Sequence, residues 1–142
     1  MTAEKSSQEL IRHLNEALGW EMRAQVMYAH YATYVRGLHR IHMKPFFEAE
    51  STESVGHATI VRDHIAKFGG VAVTERDTTD IVHTTDLKVM LDEAMKTETK
   101  AAATYKAALK LEGIDRESYD AIEQIYLQEE RAVDELAQMM DS

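Results

Sequence analysis

Four side chains that can ligate a metal lie on one face of the segment from Phe46 to Gly70. They are Glu50, Glu53, His57 and His64, which recur at spacings of three, four and seven. At about 100° per residue in a helix, they fall within about 60° of one another. Val61 shares this face, which indicates that the face is buried. Carboxylates and imidazoles are costly in an apolar core unless they are paired or bind a metal, so this face needs partners from other elements.

The composition restricts the classes of function. The chain has 142 residues, enough for a buried core, and we predict a single domain over residues 1–142. It has no cysteine, which excludes disulfides, thiol catalysis and Cys-ligated metal sites. The net charge of −9 argues against nucleic acid or an anionic membrane as a partner. The first residues form no hydrophobic signal sequence, and no apolar run approaches about 20 residues, so we predict a cytoplasmic location.

Helical periodicity covers most of the chain. We predict helices over residues 6–37 and 45–68, joined by a short link, and over 85–113 and from 115 to near the C-terminus. The polar, β-branched stretch 69–85 has no helical period, and it is long enough to cross the length of a bundle. The fold prediction is an all-α four-helix bundle with one long crossover between helices two and three.

Capping residues mark the expected helix starts. Ser6 and Glu9 can form a capping box for helix one. Pro45 suits the first turn of helix two. Asp86 and Asp115 precede helices three and four as N-caps.

Each helix carries a Glu near its middle on the inward face. They are Glu21 in helix one, Glu53 or Glu50 in helix two, Glu98 in helix three and Glu129 in helix four. If the helices pack as predicted, these carboxylates meet at one level of the bundle and repel each other unless they are neutralised. Two divalent cations would balance the four charges, and oxygen ligands with an imidazole suit iron or manganese, and zinc less exclusively. The alternative is a protonated, hydrogen-bonded carboxylate cluster without metal.

The four helices resemble those of a known superfamily along nearly the whole chain. The matching segments are LNEALGWEMRAQVMYAHY, HATIVRDHIAKFGG, LDEAMKTETKAAATYKAAL and YLQEERAVDEL. They are similar to ferritin-like di-iron carboxylate proteins, and most to bacterioferritin. The resemblance implies a Glu from each of helices one and three and a Glu-x-x-His from each of helices two and four as iron ligands. By the same resemblance Glu21 and Glu98 are terminal ligands and Glu129 is a bridging ligand.

Helix two departs from the pattern of that superfamily. Ser54 stands three residues before His57, and Glu53 stands one residue further away. A one-residue π-bulge near Gly56 would restore the usual register. Glu50, two turns before His57, is the alternative ligand.

Two further departures affect the cofactors. Ala132 stands where the resemblance implies the helix-four His, so the metal position beside Glu98 loses one protein ligand. Val55 stands where bacterioferritin has its haem-binding Met, so we expect iron, with manganese or zinc as substitutes, and no haem.

Two tyrosines accompany the predicted ligands. Tyr28 and Tyr105 lie two turns beyond Glu21 and Glu98, respectively. We expect their hydroxyls to hydrogen-bond ligand carboxylates. A redox role is the alternative, and it makes Tyr28 the candidate catalytic residue.

These observations predict a non-haem di-iron protein that binds ferrous iron and oxidises it with O2 or H2O2, for storage or detoxification. The alternatives are a binding module with one metal at Glu21, Glu53 and His57, or a structural helical protein without turnover. The resemblance also implies a homo-oligomer that pairs along helices one and two. A larger cage is left open because the fifth helix of bacterioferritin has no counterpart here.

Overall fold

A computed structural model describes the backbone of residues 3–141 and the side chains of residues 5 and 7–141. Its helices are α1 (Ala3–Tyr34), α2 (Arg40–Lys67), α3 (Leu87–Leu109) and α4 (Arg116–Met140). Residues 3–141 contain no β-strand. The predicted all-α four-helix bundle with one long crossover, here residues 68–86, is confirmed. None of the helices within residues 3–141 combines the length and apolar character needed to span a membrane.

Contacts between the helices give an up-and-down arrangement interrupted by the crossover. Ser51 Oγ donates to the Gln25 carbonyl across the antiparallel pair α1–α2. Lys67 Nζ donates to Ser118 Oγ across α2–α4. The helices α1 and α3 also pack side by side, as do α3 and α4, so α1 lies diagonally across from α4. Packing between α2 and α4 is the sparsest of the four neighbouring pairs.

The core consists of two apolar clusters with a polar layer between them. One cluster contains Leu14, Leu18, Ile65, Tyr105, Ile122 and Ile125. The other contains Met27, Tyr28, Tyr31, Phe47, Met90 and Leu136. The buried side chains of Glu21, His57, Glu98 and Glu129 form the layer between the clusters. Apolar packing on both sides keeps this layer at a fixed level of the bundle and away from bulk water.

Two of the predicted caps are present. The Asp86 side chain accepts a hydrogen bond from the Lys88 amide, and Asp115 accepts one from the Ser118 amide. Helix α1 already includes Ala3, so Ser6 lies inside the helix and does not cap it; its side chain lies outside the described residues.

Helix α2 begins earlier than the sequence predicts. It starts at Arg40, so Pro45 lies inside the helix instead of in its first turn. The Arg40 guanidinium donates to the carbonyls of Thr33 and Val35, at 3.0 and 2.8 Å, and thereby joins the start of α2 to the end of α1. Pro45 therefore lies in the second turn, where it removes one backbone hydrogen bond of the helix, and the predicted start at Pro45 was wrong.

The π-bulge expected near Gly56 is absent, because α2 is regular α-helix from Arg40 to Lys67. Gly56 is exposed, and a Cβ atom added there would meet no atom within 4 Å. The register of Glu53 against His57 is therefore that of an ordinary i, i+4 pair.

The crossover runs along α1, in the same direction. It is held by side chains or carbonyls at four positions of that helix. These are Asn15 with Val71 and Val73, Gly19 with Asp77, Arg23 with Thr79 and Asp80, and Tyr31 with Val82. Positions 15, 19, 23 and 31 recur at multiples of four, so one face of α1 provides all of them. These contacts with α1 hold the crossover in place, although residues 68–86 form no helix or strand.

Replacing Gly56 by alanine should stabilise the fold. Gly56→Ala is expected to raise the free energy of unfolding by about 0.5–1 kcal/mol, because glycine in a helix interior loses more backbone entropy on folding. Urea denaturation followed by circular dichroism measures the change. Gly37→Ala is the matched control and should destabilise, since Gly37 has a φ of 86°. A loss of stability in Gly56→Ala would indicate that α2 is distorted at this point.

Candidate metal centre

Three buried side chains from three helices converge in the polar layer. Glu21 from α1, His57 from α2 and Glu129 from α4 each place a ligand atom within 4.8 Å of the other two. His57 Nδ1 lies 3.0 Å from Glu129 Oε1 and 3.2 Å from Glu21 Oε2. Two carboxylate oxygens and one imidazole nitrogen facing one point are a donor set that suits iron, manganese or zinc.

The other nitrogen of His57 is held from outside this cluster. Gln128 Oε1 lies 2.6 Å from His57 Nε2. The amide oxygen can only accept, so Nε2 carries a proton and donates it to Gln128. This bond fixes the ring with Nδ1 facing Glu21 and Glu129, the orientation in which a histidine is held when its other nitrogen ligates a metal.

Glu98 from α3 completes the polar layer beside Glu129. Its side chain is buried and hydrogen-bonded to Glu129. Burial, followed by the nearby charge of Glu129, raises the pKa of Glu98 well above its usual range. In the metal-free protein Glu98 is therefore the protonated partner, which donates to Glu129.

The two tyrosines bond crosswise. Tyr28 OH donates to Glu98 Oε1 at 2.7 Å, and Tyr105 OH donates to Glu21 Oε2 at 2.6 Å. Each hydroxyl thus reaches the carboxylate on the opposite helix, not the one that precedes it along its own helix. The antiparallel packing of α1 against α3 brings residues 28 and 98, and residues 21 and 105, to the same levels.

Electrostatics in the layer favour a bound positive charge. Burial lowers the pKa of His57, but the hydrogen bonds and charges of Glu129 and Glu21 outweigh it and raise the pKa to about 11. Burial, followed by the charge of Glu21, raises the pKa of Glu129 to about 7. The imidazolium of His57 donates through Nδ1 to both carboxylates, and so it supplies in the metal-free protein the positive charge that a cation would supply.

The helix-two carboxylates lie outside this cluster. Glu53 Oε1 is 3.5 Å from His57 Nε2, on the side of the ring away from Glu21, and 42% of the Glu53 side chain is exposed. The inward position one residue on is taken by the buried Ser54. Glu50 is half-buried, and burial, followed by the charge of Glu53, raises its pKa to about 7. The charge of Glu98 adds to this rise in the pKa of Glu50.

A pocket opens between α2 and α4 beside the layer. It has a volume of about 340 Å³ and is lined by Glu50, Glu53, Gln128, Arg131, Ala132 and Glu135. The small side chain of Ala132 leaves this space open where a histidine would have filled it. The pocket therefore borders the layer on its α2–α4 side, where Gln128 and Glu53 both contact His57.

One contact, that of Gln128 with His57, was not anticipated from the sequence, and His64 on the inward face of α2 is not a ligand, as expected. Gln128 escaped notice because it precedes Glu129 and is not on the predicted inward stripe; only the pairing of α2 with α4 brings it to His57. His64 shares the face of His57 but points along its own helix, where Nδ1 lies 2.9 Å from the Ile60 carbonyl. It takes no part in the cluster of Glu21, His57 and Glu129.

Comparison with known proteins agrees with this architecture. The profile of the ferritin-like domain family matches residues 11–142. The chain belongs to this family. No curated protein matches the sequence at a significant level.

Solved structures of ferritin-like proteins superimpose on the whole bundle. A ferritin-like diiron-carboxylate protein from Bacillus anthracis strain Ames is 28% identical, with a TM-score of 0.87, covering 99% of this chain and 100% of that one. The bacterioferritin-related protein of Bacteroides fragilis, a dodecameric thioferritin, is 26% identical, with a TM-score of 0.84, covering 93% of this chain and 84% of that one. Bacterioferritin from Desulfovibrio desulfuricans shares the fold at 18% identity, with a TM-score of 0.87, covering 99% of this chain and 82% of that one. The resemblance seen in the sequence is confirmed.

Removing either tyrosine hydroxyl should destabilise the metal-free protein. Tyr28→Phe and Tyr105→Phe are each expected to lower the free energy of unfolding by about 1–3 kcal/mol, because a buried carboxyl group loses a hydrogen-bond partner. Urea denaturation in the presence of a chelator measures the loss. Tyr119→Phe, at a partly exposed position of α4, is the control and should have little effect. Equal stability of all three variants would contradict the crosswise bonds.

Proposed function

We propose that the protein binds ferrous iron in the polar layer and oxidises it with O2 or H2O2, for iron storage or detoxification in the cytoplasm. The observation that carries this proposal is the buried cluster of Glu21, His57 and Glu129, with Glu98 hydrogen-bonded to Glu129. Membership of the ferritin-like domain family and likeness to a diiron-carboxylate protein support iron as the metal.

In this proposal two ferrous ions are the substrate. Glu21, His57 through Nδ1, and Glu129 bind the first, after His57 releases its Nδ1 proton. Glu98 and Glu129 bind the second, with Glu50 as the helix-two carboxylate and Glu53 as the alternative. The two ions together give two electrons, which reduce O2 and two protons to H2O2, or H2O2 and two protons to two water molecules.

Each remaining polar side chain has a role in the same scheme. Gln128 keeps His57 oriented, and Tyr105 holds Glu21. Tyr28 holds Glu98, and its predicted redox role would use this contact with the second iron position. The open pocket beside Ala132 gives ferrous iron and the oxidant a route to the centre, with water completing the ligands of the second ion.

A one-metal binding protein is the second candidate. The three-residue cluster of Glu21, His57 and Glu129 favours it, because the position beside Glu98 lacks an imidazole at residue 132. In this case the protein would hold one cation firmly and turn over little iron. An oligomer is part of both proposals, since the similar Bacteroides fragilis protein is a dodecamer; light scattering tests the assembly.

Stopped-flow mixing of the metal-free protein with ferrous iron and O2 tests the oxidase function. Glu98→Ala should slow the initial oxidation at least about tenfold, because loss of groups around a metal site commonly costs 10–100-fold. Glu112→Ala, an exposed glutamate between α3 and α4, is the control and should oxidise iron at the normal rate. Identical rates for the normal protein and Glu98→Ala would contradict the proposal.

Restoring the missing histidine separates the two candidates. Ala132→His should place an imidazole in the pocket beside Glu98 and tighten binding of a second metal at least about tenfold. Equilibrium dialysis with elemental analysis counts the metals held by each protein. Ala132→Leu, of comparable bulk, is the control and should not add a metal. If the unmodified protein already holds two metals as tightly as the histidine variant, the one-metal candidate is rejected.

A further inference from the structure

A second set of metal-binding atoms lies far from the polar layer, on the outside of the bundle. His30 on α1 and His83 on the crossover face each other there, with His30 Nε2 at 2.9 Å from His83 Nδ1. Their ring planes are inclined at 76°, with centroids 5.1 Å apart. Neither residue belongs to the proposed iron centre, and the inference drawn from them does not depend on that proposal.

The positions of both rings are well supported. Tyr34, one turn beyond His30, packs against both imidazoles, at centroid distances of 4.6 and 4.8 Å. The backbone next to His83 is fixed because Tyr31 OH donates to the Val82 carbonyl at 2.8 Å. Because both side chains are already held in place, they lose little conformational entropy when a ligand binds, and this preorganisation favours binding.

We propose that His30 and His83 form a surface site for a divalent transition-metal ion of the zinc class, which clamps the crossover to α1. Neutral imidazoles are good ligands for such ions. Two nitrogens at about 2.1 Å from a tetrahedral ion lie about 3.4 Å apart. The nitrogens of His30 and His83, now 2.9 Å apart, must therefore separate by about 0.5 Å. Both side chains border solvent and can make this adjustment without disturbing the core.

Water completes the coordination. Among the described side chains, those of residues 5 and 7–141, no third Asp, Glu, Cys or His atom is close enough to the pair to form a three-residue group. The ion therefore binds more weakly than in a closed structural site, which has four protein ligands. The net charge of −9 favours cation binding over the whole surface.

Calorimetric titration of the metal-free protein with Zn²⁺ tests the inference. The normal protein should bind one more zinc ion than either His30→Gln or His83→Gln, in which binding at this site weakens at least about tenfold. His39→Gln, at an exposed histidine of the α1–α2 link, is the matched control and should bind the full number. If both pair variants take up zinc as the normal protein does, the histidines form only a hydrogen bond and the inference is overturned.

A second measurement locates the ion and keeps the two proposals distinguishable. Zinc should slow amide hydrogen exchange in residues 81–85 of the normal protein but not of His83→Gln, because the clamp is absent in the variant. Glu129→Gln should lose zinc at the buried cluster and retain this slowing. Slowing that persists in His83→Gln would assign the effect to another site and overturn the clamp.

Discussion

The need to neutralise carboxylates inside an apolar bundle governs the arrangement of this protein. Glu21, Glu98 and Glu129 are each at most 4% exposed, and they lie between two apolar clusters that exclude water. Separate buried carboxylates would cost several kcal/mol each. The metal-free protein meets this cost with one imidazolium, one protonated carboxyl and two tyrosine hydroxyls, all within hydrogen-bonding distance of the acidic groups. A cation bound to these carboxylates would replace the protons of His57 Nδ1 and Glu98, whereas the tyrosine hydroxyls could remain bonded.

The fold could be predicted because its signals are local. Apolar residues recur at helical spacing along four segments. Asp86 and Asp115 could be recognised as N-caps because each side chain bonds an amide only two or three residues further along the chain. The start of α2 could not be predicted in this way. There Arg40 donates to carbonyls at the end of α1, a contact between two helices that helical periodicity does not encode. Likewise, the course of the crossover depends on its contacts with one face of α1, which the sequence of the crossover alone does not reveal.

For the site, the sequence predicts which residue types face inward but not how they pair. One Glu per helix at mid-height was readable from periodicity, and the structure brings Glu21, Glu98 and Glu129 into one layer. Glu53 was placed inward because it shares a helix face with His57 at spacing i, i+4. In the regular helix α2, however, its side chain is 42% exposed and the buried position is that of Ser54. Spacing within one helix does not show how far neighbouring helices are shifted along their axes relative to one another. The crosswise bonds of Tyr28 and Tyr105 depend on that shift, as does the contact of Gln128 with His57.

The layer is asymmetric, and the asymmetry has a physical consequence for any cation it holds. On the His57 side the ligand atoms are buried, the imidazole is fixed by Gln128, and Glu21 is fixed by Tyr105. On the side between α2 and α4, a pocket beside Glu50 and Ala132 opens to solvent, where these two helices pack most sparsely. A cation on the first side would lose most of its water and leave slowly, because protein groups replace its hydration shell. A cation on the second side would keep water ligands and exchange rapidly. The layer thus combines buried ligand atoms of Glu21, His57 and Glu129 with an open pocket beside Ala132, although the pairs Glu21–Tyr105 and Glu98–Tyr28 are arranged alike.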